Sequence, residues 1–121
     1  MEKEEVRVVI VEDDDDIREL LTTLIELDGY LVRSVPDGEQ ALAAVREFRP
    51  ACVLVDLTLP GIDGVEVTRQ LRDQIGTELV IIAVTGSPSA TEHDRLERAG
   101  VDFVLGKPLA ESDLRRFLPP L

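Results

Sequence analysis

Glu12 and Asp13, Asp56, Thr85 and Lys107 are far apart in the chain, but each stands just past a short apolar, β-branched run. Val6 to Val11 runs into Glu12-Asp13-Asp14-Asp15-Asp16. Ala51 to Val55 runs into Asp56 and then Leu57-Thr58-Leu59-Pro60-Gly61-Ile62-Asp63-Gly64. Leu79 to Val84 precedes Thr85-Gly86-Ser87-Pro88, and Val101 to Leu105 precedes Gly106-Lys107-Pro108. A buried strand followed at once by a charge and turn residues delivers that charge to the edge of a sheet. In open α/β folds, ligands bind outside the carboxyl ends of the strands. Taken alone, Asp56 reads equally well as a residue that stops a strand and begins a turn. The other strand ends favour chemistry.

If the strands run parallel, their carboxyl ends share one rim, which then carries three carboxylates, a hydroxyl and an ammonium. Carboxylates crowded within a few ångströms do not all stay ionised without a cation among them. Oxygen ligands that leave room for water suit Mg²⁺, with Mn²⁺ as an alternative, bound through few carboxylates and a phosphate. Plainer readings stand beside this one. Asp14, Asp15 and Asp16 complement the positive end of the helix that follows. A calcium loop counted from Asp13 or Asp14 places Arg18 or Glu19 where glycine is required, which excludes it. Thr85 alone is a cap or turn residue, Lys107 alone a solvated charge, and His93 a surface residue of a polar helix. No Cys/His cluster, Ser-His-Asp set or glycine-rich phosphate loop is present.

The elements that must position these groups follow from periodicity. Ile17, Leu20, Leu21, Leu24 and Ile25 make one apolar stripe at helical spacing, and Gly29 stops that helix. Tyr30 to Val35 is a half-polar strand, with a turn at Pro36-Asp37-Gly38. Ala41, Leu42, Ala44, Val45 and Phe48 mark a second helix, and Val65, Leu71 and Ile75 a third. Ala90 to Ala99 is helical but carries Leu96 as its one large apolar residue, so it is weakly anchored. A short last helix spans about Glu111 to Leu118. Five strands alternating with five helices predict a doubly wound α/β fold, a parallel five-stranded (βα)5 sheet covered on both faces. The alternation leaves strand order open.

A chain of 121 residues suits a single domain, 1–121, with residues 1–5 as a frayed start. Aromatics are 3% of the chain, so the core is aliphatic. No apolar run is long enough to span a membrane, and no signal-peptide pattern opens the sequence. The lone Cys52 sits in an apolar run as an inert core residue. Together these point to a cytoplasmic protein. A net charge of −12 argues against direct nucleic-acid or anionic-membrane binding and suits a cation or a basic partner.

These motifs resemble the receiver domain of two-component response regulators. The resemblance rests on Val9-Ile10-Val11-Glu12-Asp13-Asp14, the Asp56–Gly64 loop, Val84-Thr85-Gly86 and Gly106-Lys107-Pro108, in the family's order and across essentially the whole chain. It implies the flavodoxin-like strand order 2-1-3-4-5. It implies Asp56 as the phosphoacceptor, attacking a phosphoryl group on the histidine of a sensor kinase or a histidine phosphotransfer protein. Glu12 and Asp13, with Asp56 and the carbonyl of Thr58, would hold Mg²⁺. The Thr85 hydroxyl and Lys107 would meet phosphoryl oxygens, and the Lys107–Pro108 peptide is one the family usually holds cis. Thr58 and Ser87 stand where the family tunes hydrolysis of the acyl phosphate.

Two departures qualify the resemblance. Many members carry an aromatic three residues before this lysine, where this chain has Val104. Phe103 lies one residue earlier, and strand alternation faces it the other way. The last helix also stops early, at Pro119-Pro120, which reduces a face that members use for dimers. The expected function is Mg²⁺-dependent phosphoryl uptake on Asp56 that switches the 85–108 face for a downstream effector. Catalysis would be limited to uptake and slow self-hydrolysis, in a monomer or weak homodimer. No output domain is expected after Leu121, which leaves a stand-alone receiver, a relay, or a receiver cut from a hybrid kinase or larger regulator. A phosphorylation-independent binding module on the same fold is the alternative. An aspartyl-nucleophile phosphatase is disfavoured because Thr58 stands where its second acid would be.

Overall fold

The computed structural model describes residues 5–56, 64–76, 78–86 and 89–121. Strands and helices alternate along the chain: β1 (Arg7–Val11), α1 (Asp15–Leu27), β2 (Leu31–Val35), α2 (Gly38–Phe48), β3 (Cys52–Asp56), α3 (Gly64–Ile75), β4 (Val80–Thr85), α4 (Ala90–Ala99), β5 (Phe103–Gly106) and α5 (Glu111–Phe117). The five strands form one sheet in the order β2-β1-β3-β4-β5, with every pairing parallel. This is the doubly wound, flavodoxin-like arrangement that the resemblance implied.

β-branched residues dominate the central strands because both of their faces are covered. Val9, Val11, Val53, Val55, Ile81 and Ala83 pack with α2, α3 and α4. Their neighbours Val8, Ile10, Cys52, Leu54, Ile82 and Val84 pack with Ile25 of α1 and with Leu114 and Leu118 at α5. The order sets β1 and β3 side by side, with Val11 opposite Val55. The next residue along each, Glu12 and Asp56, therefore meets the other at the rim.

Local signals account for the helix starts. Asp14 caps α1 by accepting from the Ile17 amide at 3.0 Å, and Asp15 and Asp16 occupy the first turn. Three of the five residues in the acidic run 12–16 thus serve the helix end. Asp37 caps α2 through the Gln40 amide at 2.8 Å, and Ser89 caps α4 through the Glu92 amide at 3.2 Å.

Two elements differ from the sequence reading. The fifth strand begins at Phe103 rather than Val101, because the Val101 amide closes α4 on Leu96 at 3.1 Å. Of the apolar stripe on α1, Ile25 is fully buried, but Ile17 is 43% and Leu20 59% exposed. The first turns of α1 flank a cleft instead of lying on the sheet.

Candidate functional site

Asp56 ends β3 in the middle of the sheet and is 6% exposed. Lys107, one residue beyond β5, crosses the end of β4 to place Nζ 2.6 Å from Asp56 Oδ2. Its own amide donates to the Thr85 carbonyl at 2.9 Å, and its peptide to Pro108 is cis. The lysine is therefore held by its backbone and reaches the carboxylate along a half-covered stem.

Glu12 lies beside them at 1% exposure. Its amide donates to the Val35 carbonyl at 3.0 Å, and its carbonyl accepts from Arg18 Nη1 at 2.9 Å. Arg18 Nη2 in turn pairs with Asp15 at 2.5 Å. Burial first, and then the adjacent Asp56 carboxyl, push the Glu12 acid from 4.5 up to about 7, with Lys107 pulling the other way. Asp13 is exposed at the mouth of the site and adds a further unfavourable charge to Glu12.

The site suits a divalent cation. Glu12 Oε2 is fully buried with no hydrogen-bond partner among the described residues, and an orphaned carboxylate oxygen of that kind is stabilised by a metal. Among the described residues no three acidic, His or Cys side chains close on one point. An all-protein cage is thus absent from that part of the chain. Mg²⁺ does not need one, since it binds through one or two carboxylates and completes its shell with water and phosphate oxygens.

Thr85 is buried at 2% exposure, and its hydroxyl donates to Glu92 Oε1 of α4 at 3.3 Å. Glu92 escaped the sequence reading, because no periodicity ties a strand end to a helical residue across an intervening loop. Arg18 escaped it too, figuring there only as the residue that rules out a calcium loop. Val104 packs into the layer shared with α2, α3 and α4. Phe103 faces the opposite layer, its ring centroid 5.0 Å from that of Phe117. Thr58 and Ser87 lie outside the described residues. His93 is exposed and pairs with Glu97 at 2.8 Å. Cys52 is buried, and burial pushes its thiol up to about 12, which leaves it protonated and inert.

A cleft of about 450 Å³ opens over Glu12, Asp56 and Lys107, with apolar walls from Ile17, Leu20, Leu21, Pro108 and Leu109. A second hollow of about 570 Å³ lies at the other end of the strands, beside Arg7, Ala51 and Leu79, and contains none of these groups. No helix of the described residues is long and apolar enough to cross a membrane.

Comparison with known proteins bears on the family and the fold. Residues 8–118 match the model of the response regulator receiver domain. The chain is 38% identical over 109 residues to the response regulator MprA of Mycolicibacterium vanbaalenii, a match covering 90% of this chain and 47% of the relative. It thus spans about half the length of the curated relatives it matches. Among solved structures, chemotaxis protein CheY4 of Vibrio cholerae superposes with a TM-score of 0.88 at 25% identity, covering 95% of this chain and all of that one. The receiver domain of sensor histidine kinase PA1611 from Pseudomonas aeruginosa PAO1 superposes with a TM-score of 0.82 at 30% identity, covering 93% of each chain. That structure has a magnesium ion coordinated in its active site cleft. With a family match across nearly its whole length and the same fold in its structural relatives, the chain belongs to the receiver domains of two-component response regulators.

Proposed function

We propose that Asp56 accepts a phosphoryl group from the histidine of a sensor kinase or histidine phosphotransfer protein, with Mg²⁺ held by Glu12, Asp13 and Asp56. The modified site then alters the face spanning residues 85–108 for a downstream effector protein. The observation that carries this reading is the contact between Asp56 and Lys107, at 2.6 Å, beside a buried Glu12 oxygen that lacks a partner among the described residues. A nucleophilic carboxylate, a fixed counter-charge and a position for a cation then share one cleft.

Phosphoryl transfer needs positioning and charge neutralisation more than covalent help. An Asp56 carboxylate oxygen forms the new bond to phosphorus while the bond from phosphorus to the donor imidazole nitrogen breaks. The imidazole departs with the electron pair and takes up a proton. Lys107 moves its hydrogen bond from the carboxylate to a phosphoryl oxygen, and the Thr85 hydroxyl donates to another. Bound Mg²⁺ would supply the neutralising charge on the transferring oxygens. Glu12 and Asp13 hold and orient that cation, while the Thr58 carbonyl is the further ligand expected and Thr58 and Ser87 tune hydrolysis. A cytoplasmic setting fits this reading, since sensor kinases present their phosphohistidine there and the lone Cys52 calls for no oxidising compartment.

Incubation with Mg²⁺ and a small phosphodonor tests the proposal by intact mass. The wild type should gain one phosphoryl group only when Mg²⁺ is present, and Asp56→Asn should gain none. No Mg²⁺-dependent gain, or an equal gain in Asp56→Asn, overturns it in favour of a phosphorylation-independent binding module.

A further inference from the structure

We propose that Glu92, in the first turn of α4, is the positioning residue that holds the resting orientation of Thr85 and transmits the state of the site to α4. The inference rests on the reading of Asp56 as the phosphoacceptor and specifies how its modification is reported. Side chains alternate between the two layers along β4. Ile81 and Ala83 face the layer containing α3 and α4, so Thr85 continues toward α4. Cys52 and Leu54 face the other layer, so Asp56 ends β3 on the α1 and α5 side. In keeping with this, the Thr85 hydroxyl reaches Glu92 Oε1 at 3.3 Å.

A threonine hydroxyl has one proton to donate, while an ionised glutamate and a phosphoryl group are both acceptors. Thr85 therefore donates either to Glu92 or to a phosphoryl oxygen on Asp56. The contact with Glu92 is long for a hydroxyl donor, so it is readily exchanged for a shorter bond to a more highly charged oxygen. The two ends of this choice are physically linked. Asp56 contacts Lys107 at 2.6 Å, the Lys107 amide donates to the Thr85 carbonyl at 2.9 Å, and the Thr85 hydroxyl meets Glu92. The Glu92 amide is in turn tied to the Ser89 cap at 3.2 Å.

The receiving element is suited to respond. α4 buries only Leu96 and Ala99, both toward its end, so a side-chain contact at its start is a sizeable share of what fixes its first turn. Losing the Thr85 proton leaves the Glu92 carboxylate on the same rim as a group carrying about −1.5 to −2 charge. That repulsion loosens the turn further. An aromatic route is not available at the usual strand position, because Val104 stands there and Phe103 packs at a tilt against Phe117 in the opposite layer.

The test uses beryllofluoride with Mg²⁺ as the phosphoryl mimic, with affinity from titration and hydrogen exchange at the α4 amides. In the wild type, binding should speed exchange in the first turn of α4. Glu92→Ala should exchange fast there without the mimic and bind it about threefold to tenfold more tightly, the net value of one hydrogen bond. Glu92→Gln keeps an acceptor oxygen and should restore the wild-type affinity. In a Thr85→Val background, Glu92→Ala should leave affinity unchanged. The proposal is overturned by unchanged exchange in wild-type α4 despite saturation, or by an Ala effect that persists in Thr85→Val. The wild-type exchange measurement decides even where a variant fails to fold. If wild type does not bind beryllofluoride, or Asp56→Asn binds it equally, the phosphoacceptor reading itself has failed and this inference falls with it.

Discussion

Lys107 Nζ lies 2.6 Å from Asp56 Oδ2, and this one contact joins the end of the central strand β3 to the residue following the edge strand β5. The ammonium is held against a carboxylate that is almost wholly withdrawn from water. A charge-assisted bond in such a place is stronger than its surface counterpart.

Replacing Lys107 with Met should therefore have two effects of opposite sign. Uptake of phosphate from a small donor should fall by about tenfold or more, since the variant lacks the group that follows the transferring oxygens. Mg²⁺ should bind more tightly, because a competing cation has left the cleft. Phosphorylation kinetics by intact mass and a Mg²⁺ titration check the two effects. Weaker Mg²⁺ binding in the variant would show that Lys107 organises the carboxylates instead of competing for them.

Glu12 makes the site sensitive to pH. Its acid is raised from 4.5 to about 7, first by burial and then by Asp56. With no metal, the fold binds the Glu12 proton more tightly than the unfolded chain does. The resulting stabilisation is fully present below pH 4.5 and is lost as pH rises through about 7. In EDTA, Glu12→Gln should melt close to wild type at pH 5 and above it at pH 8, and Mg²⁺ should close the gap at pH 8. Protons and metal compete for the same oxygens, so Mg²⁺ affinity should weaken by up to about tenfold per pH unit below the Glu12 transition. Calorimetry across that range checks both. A melting difference between wild type and Glu12→Gln that does not change with pH would contradict the assignment.

Much of this site was legible because its residues end strands. Val53-Leu54-Val55 before Asp56 and Val8-Val9-Ile10-Val11 before Glu12 have the β-branched continuity of strands buried on both faces, and both are so buried. That periodicity says nothing about which strands are neighbours. The adjacency of Glu12 and Asp56 depends on β1 lying between β2 and β3, a consequence of how the crossovers pack. It also does not say what covers a helical stripe. Ile17 and Leu20 have the same spacing as the buried Ile25, but they flank the cleft. Glu92 was hidden for a third reason, since its contact with Thr85 is made across a loop whose shape no local pattern specifies.

The far end of the molecule depends on Arg72. Its guanidinium donates to the carbonyls of Gly100 at 2.8 Å, Gly76 at 3.0 Å and Leu79, and pairs with Asp102 at 2.5 Å. It thereby ties the end of α3 to the start of β4 and to the turn before β5. Arg72→Ala should cost about 2–4 kcal/mol, because several carbonyls lose their donor together. Gly100 has φ +111°, and a Cβ there would lie 2.6 Å from Arg72 Cγ. Gly100→Ala should thus cost about 1–3 kcal/mol through the left-handed backbone alone, plus the clash. Urea denaturation of both single variants and the double variant should show sub-additive costs, since truncating Arg72 removes the clash. Full additivity would mean that the backbone strain accounts for all of the Gly100 effect.

The exposed stripe on α1 yields a prediction that separates the donor from the chemistry. Asp56 is 6% exposed at the base of a cleft walled by Ile17, Leu20 and Leu109. A phosphohistidine on a protein reaches it only if the donor surface descends onto those apolar side chains. A small phosphodonor needs no such surface to cover them. Burying a side chain of this size contributes about 1.5–3 kcal/mol when fully covered, so partial cover of Ile17 and Leu20 together amounts to about the same. The double variant Ile17→Ser, Leu20→Ser should therefore slow transfer from a phosphorylated histidine protein by about tenfold or more. Uptake from a small phosphodonor should stay near the wild-type rate, as neither residue touches Asp56, Glu12 or Lys107 through a hydrogen bond. Parallel rate measurements with the two donors check the split. Equal slowing with both donors would show that α1 shapes the acidic site itself, whereas unchanged rates with both would place the docking surface elsewhere.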